Sequence, residues 1–568
     1  MKKQKSLKNL KEWISNPNVD KKIKNEILRL NDDELYDSFY KKLEIGTAGI
    51  RGKIGVGSNR INHYTVSEFI YNYGLYIKKK CLNDKIVSVV IGYDTRLYSK
   101  YFAELSSKIL LDMNIKVYIF PSFIPTPILS FAIKKLNCDG GIMITASHNP
   151  YNYNGIKLYN KSGGQITNSE NKEFMEGFIE GFYKKRKRIS LRKAEKIKKQ
   201  LYVDYIKMLE SLKKNAIEYN DYKIIFSPLH GTSIGIIEKV FKKLDYSYVI
   251  TNSQNNPDPY FRTVSIPNPE FPFVFKEGLK VLEKHNGDIC VCFDPDSDRL
   301  GAVCCDRVTN DKFYNYYFTG NEIAALLIYY LLDNNIYNLS SYKNCVIITT
   351  IVSSDLPKKI AESYGVETIT TLTGFKNINE EIDLLSKNKK FLFAYEESNG
   401  YLMLDTVRDK DAFQACILLV EAGKYYKQKN ISLTSLINYI YSKYGYYCDK
   451  SLSFINEDIS SVNKLMSFFR SSFLRNTSLK IIKYIDVYNG TGYDVLLDNY
   501  FNVSFNKENV IKFYLEDDVW FAVRPSGTEP KIKVYIYSHS SSKVDAINKM
   551  KKVEKEINDI IYGEKYDK

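Results

Sequence analysis

Short apolar runs alternate with amphipathic segments of helical length between about residues 85 and 397, a pattern typical of layered α/β folds. The alternation occurs three times, and its apolar runs, rich in Val, Ile, Phe and Tyr, are predicted to be buried strands. The predicted strands span 87–93, 116–120 and 140–145 in the first unit, 223–226, 246–251 and 288–293 in the second, and 345–350, 366–371 and 391–395 in the third.

Each unit ends its last predicted strand in a polar loop. The three loops are Ala-Ser-His-Asn-Pro at 146–150, Asp-Pro-Asp-Ser-Asp-Arg at 294–299 and Glu-Glu-Ser-Asn-Gly at 396–400. Open α/β sheets bind ligands just beyond the carboxyl ends of their strands. Each loop is therefore a candidate ligand site.

The pattern changes towards the C-terminus. After about residue 444 the predicted strands are less regular, and the apolar run 520–523 leads directly into Arg-Pro-Ser-Gly-Thr-Glu-Pro-Lys at 524–531. We interpret this region as a separate α+β domain with its own anion loop. At the other end, the segment 7–30 is predicted to be helical and carries no candidate chemistry.

Composition narrows the class of protein. A chain of 568 residues is long enough for three or four domains. The longest apolar run, 324–332, is shorter than the roughly 20 residues of a membrane span, and the basic N-terminus lacks the apolar block of a signal peptide. The nine cysteines form no disulfide framework. We expect a cytoplasmic protein with no membrane partner.

The net charge of +16 permits nucleic-acid binding, but charge without a recognition motif is weak evidence for it. We interpret the densest basic run, 184–188, as a solvated helical face. We therefore expect no nucleic-acid partner. A positive balance also suits anionic sugar phosphates.

Ser147 stands at a tight strand exit beside His148, and Pro150 prevents the strand from continuing. A serine in this position with a basic neighbour suits phosphoryl exchange. The same residues also fit an ordinary turn in which Ser147 or Asn149 caps a helix. Taken alone, the motif favours the ordinary turn.

Asp294, Asp296 and Asp298 place three carboxylates at alternate positions of an extended loop, so that they turn towards one point. Oxygen ligands of this kind suit a hard divalent cation. An EF-hand is disfavoured because the twelfth loop position is Cys305 instead of glutamate. The sequence predicts a Mg²⁺ site, and the flanking apolar strands argue against a solvated acidic turn.

Glu396 and Ser398 offer a carboxylate and a hydroxyl suited to sugar hydroxyls, and Thr373-Gly374 lies just before the preceding helix. Neither signal is specific. The nearby mixed-charge run 408–411 has a solvated, salt-bridged turn as its default interpretation.

The loop 524–528 combines a guanidinium, two hydroxyls and a flexible glycine whose neighbouring N–H groups allow an anion to approach. Such a set suits a phosphate dianion. The segment 46–52 has similar ingredients, although a glycine turn before a strand explains it equally well. A nucleophilic serine, a metal loop, a hydroxyl-binding loop and a phosphate loop, in this order, are what an enzyme needs to move phosphate around a sugar.

From about residue 43 to residue 537 the chain resembles the α-D-phosphohexomutase superfamily, and within it the phosphoglucomutase and phosphopentomutase-like branch. The segments that match family motifs, in family order, are 46–52, 145–150, 294–301, 396–400 with 408–411, and 524–531.

The resemblance implies an α/β fold of four domains around a central cleft, in which three related mixed α/β sheet domains precede a smaller α+β C-terminal domain. After an N-terminal helical extension at 1–40, the predicted domains are the phosphoserine domain 41–205, the metal-binding domain 206–316, the sugar-binding domain 317–440 and the phosphate-binding domain 441–568.

The resemblance also implies roles for single residues. It implies a phosphoserine at Ser147, and Mg²⁺ held by Asp294, Asp296, Asp298 and that phosphoserine. The residues expected around the transferred phosphoryl group are Arg51, His148, Lys157, Arg299 and Lys410. The residues expected to bind the rest of the substrate are Thr373, Gly374, Glu396, Ser398, Arg408, Arg524, Ser526, Gly527, Thr528 and Lys531. The general base stays open among Lys157, His148 and Lys410.

The predicted reaction interconverts glucose 1-phosphate and glucose 6-phosphate through a bisphosphorylated sugar, with glucose 1,6-bisphosphate as activator. Ribose 1-phosphate or deoxyribose 1-phosphate is the close alternative substrate, and phosphomannomutase or glucose-1,6-bisphosphate synthase activity is a further one. A non-catalytic sugar-phosphate sensor is an alternative of another class, which the intact Ser147 and acidic loop argue against. We expect a monomer or a weak homodimer.

Overall fold

The computed structural model describes residues 2–46, 49–81, 86–181, 193–213, 221–309, 312–455, 459–525 and 531–563. The chain divides into two compact units, one formed by Met1–Ile323 with Gly374–Asn430 and the other by Ala324–Thr373 with Ile431–Lys568. Among the helices of the described residues, none is both long and apolar enough to span a membrane. The basic run 184–188 lies outside the described residues.

Three short helices form the N-terminal region, namely α1 Lys2–Ser15, α2 Lys21–Ile27 and α3 Asp32–Phe39. The prediction of one helix over 7–30 is wrong, because Pro17 lacks the backbone N–H that a continuing helix requires. The ring of Trp13 packs edge-on against Phe39 and Tyr64. This small core attaches the three helices to the first sheet domain, because Tyr64 lies in the first turn of that domain's first helix, His63–Lys80.

The first sheet domain contains β1 Ile45–Gly46, β2 Gly49–Lys53, α4 His63–Lys80, β3 Ser88–Tyr93, α5 Ser99–Asp112, β4 Lys116–Ile119, α6 Thr126–Lys135, β5 Gly140–Ile144, β6 Tyr153–Asn160, α7 Asn168–Glu176, β7 Glu195–Lys196 and α8 Gln200–Glu210. Its seven strands are ordered β1-β2-β6-β5-β3-β4-β7. The continuous apolar strands β3 and β5 are wholly buried, as expected for parallel strands covered on both faces. In contrast, β6 pairs antiparallel with β5, so its residues return alongside the strand that leads to Ser147.

The second sheet domain contains β8 Lys223–Ser227, α9 Ile237–Lys243, β9 Ser247–Ile250, α10 Lys276–His285, β10 Ile289–Phe293, β11 Leu300–Thr309 and β12 Lys312–Tyr317. Its strands are ordered β12-β11-β10-β8-β9, with β8, β9 and β10 parallel. Because β10 and β11 pair antiparallel with Phe293 opposite Leu300, the acidic loop 294–299 is the tight connection between them.

The next stretch of chain contains α11 Gly320–Asp333, β13 Cys345–Thr350, α12 Leu356–Ser363, β14 Glu367–Thr371, α13 Phe375–Leu384, β15 Lys390–Glu396, β16 Gly400–Leu402, α14 Ala412–Lys427 and α15 Leu433–Tyr444. In the second unit, β13 and β14 are parallel. In the first unit, β15 and β16 pair antiparallel with Glu396 opposite Gly400, which makes 397–399 a tight turn.

The C-terminal domain contains β17 Tyr446–Ile455, α16 Ile459–Ser471, α17 Phe473–Asn476, β18 Ile481–Asp486, β19 Thr491–Asp494, β20 Asn499–Asn502, β21 Ile511–Leu515, β22 Val519–Pro525, β23 Lys531–Ser540 and α18 Lys543–Tyr562. Its seven strands are ordered β17-β23-β22-β21-β18-β19-β20, and every pairing is antiparallel. Residues of α16, α17 and α18 bury their apolar faces with those of β21, β22 and β23 in one core. The α+β character predicted for the tail is confirmed.

Candidate active site

Ser147 follows β5 and adopts a left-handed backbone conformation with φ 51°, which few residues other than glycine adopt. The N–H of Ser147 donates to Thr145 Oγ1 at 2.8 Å. Its side chain is buried, and Oγ donates to Asp294 Oδ2 at 2.7 Å and lies 3.3 Å from His148 Nδ1. The strand exit therefore aims the serine hydroxyl at the acidic loop.

The acidic loop is a turn instead of the extended segment that the sequence predicted, because Ser297 is left-handed with φ 59°. The N–H groups of Asp298 and Arg299 both donate to Asp294 Oδ1 at 3.0 Å, and this closes the turn. One carboxylate oxygen from each of Asp294, Asp296 and Asp298 nevertheless lies within 4.8 Å of the others. The predicted convergence of the three carboxylates holds, although the backbone reaches it differently.

The acidic loop fits a hard divalent cation. Asp296 Oδ1 and Asp298 Oδ1 are buried and have no hydrogen-bond partner. Buried carboxylate oxygens without partners are costly, and oxygen is the ligand that Mg²⁺ prefers. Burial, together with the charges of Asp296 and Asp298, raises the pKa of Asp294 well above its ordinary value. A bound cation would relieve this crowding of like charges.

Two buried lysines from different elements neutralise the other side of the loop. Lys157 on β6 places Nζ at 2.7 Å from both Asp296 Oδ2 and Asp298 Oδ2. Lys410 Nζ lies 3.2 Å from Asp298 Oδ2 and 3.3 Å from Asp409 Oδ1. Burial alone would lower the pKa of each lysine, but the neighbouring carboxylates outweigh it and raise the pKa of both.

Two arginines flank the same region. Arg51 on β2 donates from Nη1 to Asn149 Oδ1 at 2.9 Å, next to the Ser147 turn. Arg299 pairs with Glu270 at 2.6 Å, and its Nε lies 4.0 Å from Asp298 Oδ1. Burial would lower the pKa of Arg299, but nearby carboxylates, Glu270 foremost, raise it. Both guanidiniums are thus held beside the acidic cluster.

The loop 396–400, which is predicted to bind sugar hydroxyls, is anchored to the end of the acidic loop. Glu396 is buried at the end of β15 and accepts from the N–H of Gly374 at 2.9 Å. Asn399 donates from Nδ2 to the Leu300 carbonyl at 2.8 Å, just beyond the acidic loop. Ser398 lies half-buried in the turn between them.

The remaining predicted residues lie in other surroundings. Arg408 pairs with Asp383 at 3.0 Å. In the second unit, Glu508 Oε1 accepts from Thr373 Oγ1 at 2.9 Å and lies 3.8 Å from Arg524 Nη2. Lys531 begins β23 and is half-buried. Three predicted phosphate ligands lie outside the described residues, namely Ser526, Gly527 and Thr528.

Several site residues were not predicted from the sequence. Thr126 at the start of α6 donates to Asp296 Oδ2 at 2.8 Å. Asp409, interpreted as part of a solvated turn, is fully buried and accepts from Tyr159 Oη at 2.7 Å and Gln165 Nε2 at 2.9 Å. A solvated turn is therefore the wrong interpretation of the run 408–411, although its charged residues do form salt bridges.

The chain resembles known proteins over most of its length. It matches the models of the phosphoglucomutase/phosphomannomutase family, with alpha/beta/alpha domain I over 42–183, domain II over 200–307, domain III over 319–444 and the C-terminal domain over 487–554. Together these matches cover most of the chain.

Individual relatives extend over nearly the full length. A phosphoglucomutase from Staphylococcus aureus (strain bovine RF122 / ET3-1) is 35% identical over 535 residues, which are 92% of this chain and 94% of that protein. One from Staphylococcus epidermidis (strain ATCC 12228 / FDA PCI 1200) is 34% identical over 566 residues, with 95% and 100% coverage. The crystal structure of pp63/parafusin, a phosphoglucomutase from Paramecium, is similar in fold, with a TM-score of 0.66, 18% identity and coverage of 93% and 96%.

These matches confirm the predicted class of three mixed α/β sheet domains followed by a C-terminal domain with an antiparallel sheet. The buried Asp294, Asp296 and Asp298 are a candidate metal site in the second of these domains. The chain belongs to the phosphoglucomutase branch of the α-D-phosphohexomutase superfamily and is an isomerase that works as an intramolecular phosphotransferase.

Proposed function

We propose that this protein interconverts glucose 1-phosphate and glucose 6-phosphate and carries the transferred phosphoryl group on Ser147. The observation that carries the proposal is the 2.7 Å hydrogen bond from Ser147 Oγ to Asp294, within a buried cluster of three carboxylates and two lysines. A hydroxyl in this setting is well placed for phosphoryl exchange, because such transfer depends on positioning and charge neutralisation.

Asp294, Asp296, Asp298 and the phosphorylated Ser147 would hold Mg²⁺. When bound, the cation supplies positive charge that neutralises the oxygens of the phosphoryl group. The buried Oδ1 atoms of Asp296 and Asp298 support this assignment, since they have no hydrogen-bond partner of their own.

The chain's own cations would stabilise the rest of the phosphoryl charge. Lys157 and Lys410 lie in contact with Asp298, and Arg299 reaches to 4.0 Å of it. Fixed charges in a buried site need no reorganisation when the phosphoryl oxygens gain charge, so they favour the transition state. Arg51, beside Asn149 in the Ser147 turn, would act on the same group.

In the first transfer, the bond between phosphorus and Ser147 Oγ breaks as the free hydroxyl of the sugar monophosphate bonds to phosphorus. The sugar hydroxyl loses its proton to a base, for which Lys157, His148 and Lys410 are the candidates, and transfer of a proton to Ser147 Oγ restores the serine hydroxyl. The resulting bisphosphate turns around, and its other phosphoryl group returns to Ser147 Oγ. Among the candidates, His148 has its Nδ1 at 3.3 Å from Oγ.

The remainder of the substrate would be held by the other loops that the sequence singles out. Glu396 and Ser398 would bind sugar hydroxyls, with Gly374 bonded to Glu396. Arg524, Ser526 and Thr528 are proposed to bind the phosphate that is not transferred. The residues proposed for other substrate contacts are Thr373, Arg408, Gly527 and Lys531.

Glucose is the favoured sugar because full-length relatives at 34–35% identity are named phosphoglucomutases. Glucose 1,6-bisphosphate would prime Ser147. Phosphopentomutase activity is the second candidate. The carboxylate and hydroxyl of Glu396 and Ser398 suit a smaller ring as well as a hexose.

Coupled assays with the 1-phosphates of glucose, ribose, deoxyribose and mannose, at fixed Mg²⁺ and trace bisphosphate, test the proposal. We expect glucose 1-phosphate to give the highest kcat/KM. Ser147→Ala should lower kcat by about four orders of magnitude or more, because it removes the phosphoryl acceptor. Ser169→Ala, which removes an exposed hydroxyl on α7, is the matched control. Near-wild-type turnover by Ser147→Ala contradicts the mechanism, and a clear preference for a pentose contradicts the substrate.

A further inference from the structure

Arg96 lies in the loop after β3, and its side chain is completely buried. Its guanidinium donates to four backbone carbonyls of the segment that contains Ser147. Nη2 donates to the carbonyls of Ser147 and Asn149, and Nη1 donates to those of Pro150 at 2.8 Å and Tyr153 at 3.2 Å. One side chain thus organises the backbone from the proposed phosphoryl carrier to the start of β6.

The guanidinium is itself held in place from two other directions. Its Nε lies 3.3 Å from Asp94 Oδ2, and its plane lies over the Phe261 ring at 4.9 Å from the centroid. Asp94 Oδ1 accepts from Ser99 Oγ at 2.6 Å and from the N–H of Arg96 at 3.0 Å. Arg96 is therefore a fixed point and not a flexible cation.

The Ser147 turn requires such a fixed point. A serine with φ 51° adopts an unfavourable conformation, which persists only where the surroundings impose it. Thr145 Oγ1 holds the N–H of Ser147, and Arg96 holds its carbonyl. Together they fix the peptide groups on both sides of the residue, and with them the direction of Oγ.

We propose that Arg96 is a positioning residue for phosphoryl transfer, which holds the Ser147 turn so that Oγ points at Asp294. The inference rests on the proposed role of Ser147 as phosphoryl carrier. Arg96 acts through backbone carbonyls, so it governs the placement of the reacting oxygen and not the binding of the sugar. Its loss should therefore lower kcat and leave KM nearly unchanged.

Arg96→Lys is the informative variant, because lysine keeps the charge but lacks the planar fork of donors that binds several carbonyls at once. We expect kcat to fall about 100-fold, as for a small misplacement of reacting atoms, with KM within about two-fold of wild type. Hydrogen–deuterium exchange in the peptide covering 147–153 should increase.

Arg60→Lys is the matched control. Arg60 is also buried, and its guanidinium binds the backbone carbonyls of Asp37 and Asn59 together with the Asp37 carboxylate, away from the Ser147 turn. We expect kcat, KM and the exchange of 147–153 in this variant to equal those of wild type.

Wild-type kcat and wild-type exchange of 147–153 in Arg96→Lys would overturn the proposal. If that variant does not fold, Phe261→Leu loosens the guanidinium without removing it. Phe261→Leu should lower kcat by less than Arg96→Lys does and should also increase hydrogen–deuterium exchange in 147–153. Wild-type kcat together with wild-type exchange in Phe261→Leu would also overturn the proposal. A wild-type protein without mutase activity or phosphorylated Ser147 would refute the proposed function instead, and exchange would still decide whether Arg96 holds the turn.

Discussion

At the residue scale, the two oxygens of one carboxylate have different roles in the acidic loop. Asp296 Oδ2 accepts from Lys157 and Thr126, and Asp298 Oδ2 pairs with Lys157 and Lys410. The Oδ1 atoms of the same two residues have no hydrogen-bond partner. The protein thus neutralises the Oδ2 side of each carboxylate. The Oδ1 side, with Arg299 Nε at 4.0 Å from Asp298 Oδ1, is where the proposed Mg²⁺ would bind.

Asp298→Asn tests this division directly. The amide removes a negative charge that both lysines contact and replaces one carboxylate oxygen by a donor that repels cations. We expect the Mg²⁺ concentration for half-maximal activity to rise at least about ten-fold, with lower kcat at saturation. Titration of chelator-treated protein with Mg²⁺ in the coupled assay measures both.

Asp112→Asn, which alters an exposed carboxylate on α5, is the control for that titration. It should leave the Mg²⁺ dependence unchanged. An unaltered Mg²⁺ requirement in Asp298→Asn would contradict the assignment of the acidic loop as the metal site.

Ser147 and the charged residues of the acidic loop could be predicted from the sequence, whereas the groups that hold them in place could not. Ser147, Asp294 and Arg299 stand in short recognisable motifs. Thr126 carries no local signal, because its partner Asp296 is 170 positions away in the chain. Asp409 lies in a recognisable segment, but its partner Tyr159 is 250 positions away. Only the fold brings such groups together.

At the element scale, the loop after β8 supports the acidic loop by close backbone contact. A Cβ added at Gly231 would lie 2.5 Å from Pro295 Cα and 2.6 Å from Pro295 O, and the Thr232 N–H donates to that same carbonyl at 2.7 Å. Backbone atoms cannot move aside as a side chain does. The acidic loop can therefore take this position only because residue 231 has no side chain.

Gly231→Ala should displace the acidic loop and lower kcat by about 100-fold, since small displacements of reacting groups have effects of this size. Gly177→Ala is the control, because its added Cβ would meet Glu173 O at an ordinary 3.7 Å. Steady-state kinetics of both variants, with melting curves to verify folding, measure the effect. Equal kcat in the two would refute the supporting role of the β8 loop.

Lys512 on β21 makes the stability of the C-terminal domain depend on pH. Its Nζ donates to the Ile351 carbonyl at 3.0 Å and lies 3.3 Å from the Trp520 ring centroid. Burial lowers its pKa from 10.5 to about 7, although Asp355 partly opposes this. Between these two values the unfolded chain retains a proton that the folded protein has released, so stability rises with pH.

Lys512→Met removes this group. The melting temperature of wild type should therefore rise relative to that of Lys512→Met as the pH increases from 7 to about 10. Differential scanning calorimetry over this range measures the difference, and Lys480→Met, at an exposed lysine, is the control. A difference that stays constant or reverses would show that Lys512 is charged in the folded protein throughout.

The strands were more predictable than their pairing. Each of the nine predicted strands coincides with an observed strand to within one residue at either end, because most of them are buried apolar runs. The strands β4, β9 and β14 are instead mainly half-buried. In contrast, β6 is mixed in composition and was not predicted as a strand. Its antiparallel return beside β5 is what brings Lys157 near Ser147. From the sequence, Lys157 could therefore be predicted as a site residue only through the family resemblance.

At the scale of the whole molecule, the family matches run in chain order from 42–183 to 487–554. The three N-terminal helices precede the first match, and the whole segment 445–486 lies between the third and the last. These two regions carry no assigned chemistry. The assigned residues thus lie in or next to the segments that the family models match, while the domain boundaries at 40, 205, 316 and 440 stay predictions.

The central claim is that Ser147 carries the phosphoryl group, and phosphorylation of the intact protein tests it most directly. Purified protein is incubated with Mg²⁺ and glucose 1,6-bisphosphate, and its intact mass is measured before and after the incubation. Peptide mapping then locates any added phosphoryl group. We predict one phosphoryl group, located on Ser147 and absent from Ser147→Ala. An active mutase with no phosphate on Ser147, or with phosphate on another residue, would contradict the account.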